Sequence, residues 1–143
     1  MELEGKIWKS GKFWLVEVPC LDVMTQGKTR EEALFMIGDA IKELMGSYFE
    51  KEVGKDFEIT VTDYKKEGIG VSANDTKLLL AFSLRRQREI SGSTVKEAAE
   101  RLGSKSPNAY AQYEKGTISV SIDKFEDLLE AANPFDHRKL RLV

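Results

Sequence analysis

The chain has 143 residues, 32% of them charged and 41% hydrophobic, with a formal net charge of −2 and a single cysteine. That length holds one medium domain or two small ones, and the composition is that of a folded globular chain rather than a disordered one. One cysteine excludes an internal disulfide, and the longest apolar runs, such as Leu78–Phe82, fall far short of the roughly 20 residues a membrane helix needs.

The N-terminus, Met1 to Gly5, is acidic and lacks both the basic and the apolar region of a secretion signal. With Cys20 as the lone thiol, the expectation is a cytoplasmic protein. Charge is unevenly spread. Residues 1–74 carry 10 Lys+Arg against 14 Asp+Glu, a net −4, and residues 75–143 carry 12 against 10, a net +2. Two halves of opposite sign suggest two jobs, and a weakly basic half can still bind nucleic acid where its cations cluster.

In chain order, Leu3, Ile7 and Trp8 mark a first strand, and Ser10-Gly11 reads as a two-residue hairpin turn. Phe13–Val18 is almost continuously apolar, which predicts a central strand covered on both faces, ended by Pro19. Thr29-Arg30-Glu31-Glu32 has the form of a capping box, and Leu34, Ile37, Ile41, Leu44 and Tyr48 follow at helical spacing. Phe57, Ile59 and Val61 alternate with polar residues as in a strand with one wet face, and Ile69-Gly70-Val71 reads as a short last strand. The pattern predicts an α+β class: an N-terminal ββαββ antiparallel-type sheet with one helix, over residues 1–72, and then a second domain that is all helical.

The boundary falls at Ser72–Asp75. Leu78, Leu79, Phe82 and Leu84 define a helix that breaks at Ser91-Gly92. Thr94 caps a short second helix containing Ala98, Ala99 and Leu102; Gly103 follows where a positive φ is easily adopted. Ser106, with Pro107 at the first helical position, starts a third helix that carries Ala109, Tyr110 and Tyr113 and stops at Gly116. Ser121 caps a fourth, with Ile122, Phe125, Leu128, Leu129 and Ala132 at helical spacing up to Asn133-Pro134. Two short helices about a tight turn, with small Ala99 at the crossing and Leu102 and Tyr110 filling the gap, outline a helix-turn-helix over residues 76–134, followed by a basic tail, 135–143.

These residues resemble the Cro/Xre repressor family. Thr94–Gly103 is similar to its second helix, Tyr113-Glu114-Lys115-Gly116 to the end of its recognition helix, and Ser121-Ile122 with Phe125, Leu128 and Ala132 to its closing helix. The resemblance implies a third helix in the major groove of operator DNA, with Ser106, Asn108, Ala111 and Gln112 facing bases and Lys105, Lys115, Ser93 and Thr94 near phosphates. Where Val95 stands, that family often has a phosphate-binding glutamine.

The first half resembles the HicB-like antitoxin domain in Gly11–Pro19, an aromatic strand ending in proline, and in Thr25–Ala33, a glycine-threonine turn into a helix opening with Glu-Ala. The resemblance implies a degenerate ribonuclease H-like fold without nuclease activity. It also implies a partner: a small basic HicA-like toxin that cleaves messenger RNA. A homodimer or higher oligomer would suit a palindromic operator. Which residues touch a toxin is not specified. A different class of reading stays open, a one-component repressor whose first domain senses a small ligand or only dimerises.

No enzyme is expected. Glu17, Asp22, Asp39, Glu43 and Asp63 form no compact acidic motif for a metal, and carboxylates on a helix face are usually solvated. His137, the one histidine, lies in the tail, which leaves no triad and no ordinary zinc set. Cys20 has no activating neighbour in sequence and reads as a buried or half-buried thiol. Gly68-Ile69-Gly70 lacks the rest of a phosphate-binding loop. No cofactor is expected.

Overall fold

The structure, a computed structural model, describes residues 1–136. His137 and most of the basic tail lie outside the described residues. The chain divides into two compact units between Asp75 and Thr76.

The first unit holds strands β1 (Leu3–Ser10), β2 (Phe13–Val18) and β3 (Val23–Gly27), helix α1 (Arg30–Tyr48), and strands β4 (Ile59–Asp63) and β5 (Gly68–Ala73). The spatial order is β3-β2-β1-β5-β4, and every neighbouring pair is antiparallel. The α+β class is as expected, but the sheet has one strand more than ββαββ. Pro19 does end β2, yet it opens a single 3-10 turn, Pro19–Leu21, and Asp22 then takes a left-handed φ of 52°. That reverses the chain so that Val23 pairs with Val18 and Gly27 with Trp14. The polar Thr25-Gln26-Gly27 stretch hid this strand because it lies at a sheet edge, where polar residues are tolerated.

Two further expectations are corrected. Ser10 pairs with Phe13, so the hairpin turn is Gly11-Lys12, with Gly11 at φ 61°, not Ser10-Gly11. Nor is β2 covered on both faces. Val16 and Val18 are buried on the helix side, whereas Phe13 is exposed and Leu15 half-buried on the other. The middle strand is β1, with buried Leu3 and Ile7.

Thr29 caps α1, its hydroxyl accepting from the Glu32 amide at 3.0 Å. The helix carries the chain from the edge strand β3 to the opposite edge strand β4. Ala33, Ile37, Ile41 and Met45, four residues apart, form its buried line; Leu34, Leu44 and Tyr48 are half-buried flanks rather than the centre the periodicity suggested. Close approach is possible because residue 27 is glycine: a Cβ there would lie 2.5 Å from the Ala33 nitrogen. Arg30 lies over the Trp14 ring, 5.6 Å from its centre, and pairs with Asp63 at 2.7 Å, which holds the Asp63 carboxyl below its ordinary range.

The second unit holds α2 (Thr76–Ser91), α3 (Val95–Arg101), α4 (Asn108–Ala111) continued by a 3-10 turn (Gln112–Lys115), and α5 (Ile122–Ala132). Every residue from Leu78 to Leu84 is buried, so α2 is the central helix. Phe125, Leu128, Leu129, Ala131 and Ala132 bury one side of α5; Ile122, expected in that stripe, is 53% exposed because it sits in the first turn just after the Ser121 cap. Side chains satisfy the last α5 carbonyls, which a helix leaves without internal partners. Arg101 donates to Ala131 O at 2.8 Å, Ser91 Oγ donates to Ala132 O at 2.7 Å, and Asn133 Nδ2 donates to buried Gln87 at 2.9 Å.

Local strain sits in the β4–β5 hairpin. Lys65 and Lys66 both take positive φ, 65° and 52°, steadied by the Lys65 amide donating to Asp63 Oδ1 at 2.7 Å. Left-handed backbone costs a non-glycine residue on the order of 1 kcal/mol. Lys66→Gly is therefore expected to stabilise the first unit by about 0.5–1 kcal/mol. Urea unfolding followed by tryptophan fluorescence reads this directly, since both tryptophans, Trp8 and Trp14, lie in that unit.

Candidate nucleic-acid interface

Helix α3 begins with a complete capping box: Thr94 Oγ1 accepts from the Glu97 amide at 3.1 Å, and Glu97 accepts from the Thr94 amide at 3.0 Å. Its end is a Schellman turn. Gly103, at φ 83°, donates to Glu100 O at 2.9 Å, and Ser104 donates to Ala99 O at 3.0 Å. Ser106 Oγ then accepts from the Asn108 amide at 3.3 Å, and Pro107 already has helical dihedrals. The third helix thus starts as the sequence suggested, although its regular α part is one turn long before it tightens into the 3-10 turn.

Along this element Tyr110 is fully buried and Tyr113 half-buried, while Lys105, Ser106, Asn108, Gln112 and Lys115 are exposed and Ala111 is half-buried. Asn108 and Gln112, four apart, share one exposed face. Thr94 is exposed beside its cap, but Ser93 is not where the sequence put it. Ser93 is buried; its hydroxyl accepts from Arg101 at 2.8 Å and lies 2.7 Å from the Ser91 hydroxyl. Its side chain is an internal brace rather than a phosphate contact. A serine just before a helix reads identically in sequence whether it caps, braces or faces solvent.

The orientation of the third helix depends on Tyr110 and Gly116, as the sequence suggests, and on an ion pair that it does not announce. Arg88, in the last turn of α2, closes on Glu114 with bonds of 2.7 and 2.9 Å, and both side chains are largely buried. The hydrogen bond to Glu114 raises the Arg88 pKa further. Tyr110 packs beside this pair; burial, reinforced by the Glu114 charge, pushes its phenol well above the ordinary range, so it stays neutral. Gly116, at φ 77°, lets the chain leave: a Cβ there would lie 2.6 Å from Leu78 Cδ1. For Arg88 the available signal was its place four residues after Leu84 and eight after Leu80, both core positions.

Charge is polarised within the unit. Residues 76–116 carry eight Lys+Arg against four Asp+Glu, a net +4, while residues 117–136 carry one against five, a net −4. The exposed Asp123, Glu126, Asp127 and Glu130 all lie on α5. Cations therefore concentrate in the segment that includes the third helix and both of its flanks, which suits a polyanion.

Removing Glu114 takes the carboxylate from a largely buried Arg88 guanidinium and leaves it the Ser93 carbonyl at 3.3 Å. Glu114→Ala is expected to destabilise the second unit by about 3 kcal/mol. Amide hydrogen exchange across α2, α3 and α4 measures the loss, with the α1 and sheet amides as the unaffected reference.

Comparison with known proteins agrees with this geometry. Residues 84–136 match the helix-turn-helix family model. No curated protein and no solved structure matches the chain. Residues 84–136 are thus a helix-turn-helix domain of the DNA-binding, transcription-regulator kind.

Proposed function

We propose that this chain is an antitoxin that represses its own operon through the second unit and neutralises a small, basic, HicA-like messenger-RNA-cleaving toxin through the first. The observation that carries the DNA half is the exposed face of the third helix: Asn108 and Gln112, one turn apart, on an element locked from behind by Arg88–Glu114. Asn and Gln amides pair bidentately with adenine in the major groove, and Lys105 and Lys115 flank the element for phosphates. Ser106, Thr94 and Ala111 complete the proposed contact set. A homodimer would set two such helices about 34–36 Å apart, one turn of the duplex.

The antitoxin half rests on the residues of Gly11–Pro19 and Thr25–Ala33 and on the acidity of residues 1–74. A net −4 there favours encounter with a basic partner. The chain itself is read as non-enzymatic and cofactor-free. Of the carboxylates considered for a metal, Asp63 is already engaged by Arg30.

Two outcomes are expected. Asn108→Ala or Gln112→Ala weakens operator binding by roughly 1–3 kcal/mol and relaxes base preference at one position, read by fluorescence anisotropy on mutated duplexes. If both leave operator affinity intact, the third helix is not the reading element. Co-expression with the small open reading frame beside its gene is expected to yield a tight complex in which RNA cleavage is silenced. A neighbour that cleaves RNA equally well with and without this chain rules out the antitoxin half and leaves a repressor whose first unit dimerises or binds a ligand.

A further inference from the structure

The negative charge of the first unit is concentrated in one segment. Residues 30–63 carry four Lys+Arg against nine Asp+Glu, a net −5, whereas residues 1–29 carry four against four. That segment is α1, the following loop and the edge strand β4. Between α1 and β4 runs an open groove of about 450 Å³, with Phe35, Gly38 and Asp39 on its helix wall and Glu58, Ile59 and Val61 on its strand wall. Phe35 is 70% exposed, the most exposed large apolar side chain of the described part of this unit. Asp39 and Glu58 are exposed as well, and Lys42 is the one cation on the lining.

Strand β4 has a sheet neighbour on one side only. An edge strand presents main-chain donors and acceptors to any further strand, and folded proteins usually blunt it with lysine, proline or a bulge. Ile59-Thr60-Val61-Thr62-Asp63 has neither lysine nor proline and pairs with β5 in unbroken register. The other edge, β3, lies outside the acidic segment.

We infer that this groove receives an extended, basic segment of another protein, which pairs with β4 as a sixth strand. Its apolar side chains seat on Phe35 and Ile59, and its Lys or Arg side chains lie opposite Asp39 and Glu58. Strand addition takes its strength from main-chain bonds and its selectivity from alternate side chains, and here the selecting charge is negative. The inference rests on the antitoxin reading only for which protein supplies the strand; the surface itself stands on the free edge, the groove and the charge.

The test has two arms on the full chain. The first measures calorimetric affinity for the product of the small open reading frame beside its gene, the proposed basic partner. Phe35→Glu and Asp39→Lys are each expected to weaken it at least tenfold, while Met24→Glu, on the uncovered face of the sheet, changes it less than twofold. Weakening by Met24→Glu with Phe35→Glu silent would overturn the inference. The second arm follows amide shifts on titration with a decapeptide of alternating lysine and valine. Saturable shifts at Ile59–Asp63 that are lost in Phe35→Glu are expected, and their absence would overturn the groove. If the neighbouring protein fails to bind the wild-type chain but the peptide still maps to β4, the antitoxin reading fails and the groove stands. If Phe35→Glu instead converts a dimer to a monomer in sedimentation, the occupant is a second copy and the inference is wrong. Both variants change exposed positions, and their amide spectra verify the fold.

Discussion

The Arg88–Glu114 pair, two bonds of 2.7 and 2.9 Å inside the second unit, is the constraint on which the orientation of the third helix depends. A recognition element of one α turn and one 3-10 turn is too short to hold itself together, because isolated helices below about 12 residues are marginal in water. Its orientation has to come from behind. Buried Tyr110 supplies apolar contact, Glu114 supplies a directional anchor to α2, and Gly116 supplies the exit. With those three fixed, Asn108 and Gln112 have no inward role left to them and face solvent as a pair.

The remaining polar bonds of the unit serve the same end. Arg101 reaches from α3 to both Ser93 and Ala131, Ser91 reaches Ala132, and Gln87 meets Asn133. These tie α2, α3 and the end of α5 into one frame. A buried pair of this kind adds orientation more surely than it adds stability, since desolvation offsets much of its attraction. In this unit the segment from α2 through the third helix is net positive and the segment that carries α5 is net negative.

Much of this was legible in the sequence, and the failures have physical reasons. The caps at Thr29, Thr94 and Ser121, the left-handed Gly103 and the helix stops at Gly92 and Gly116 were readable because capping and positive φ restrict residue choice locally. Strand β3 was missed because its side chains are those of an edge, and the coverage of β2 was overestimated because an apolar run does not reveal which face is roofed. Ser93 was misplaced because only the partner, Arg101, decides where a serine hydroxyl points. Arg88 and Glu114 are 26 residues apart, and no local pattern announces a bond over that distance. The proposed base contacts follow from spacing and exposure, and the antitoxin role from resemblance and charge.

The most direct test of the central claim is selection of bound sequences from a random duplex library by the full chain, run in parallel with Gln112→Lys. An enriched motif is expected for the wild-type chain and a changed preference at one position per half-site in the variant, toward guanine, which lysine contacts at O6 and N7. The same motif from both proteins, or no enrichment from either, would contradict the claim.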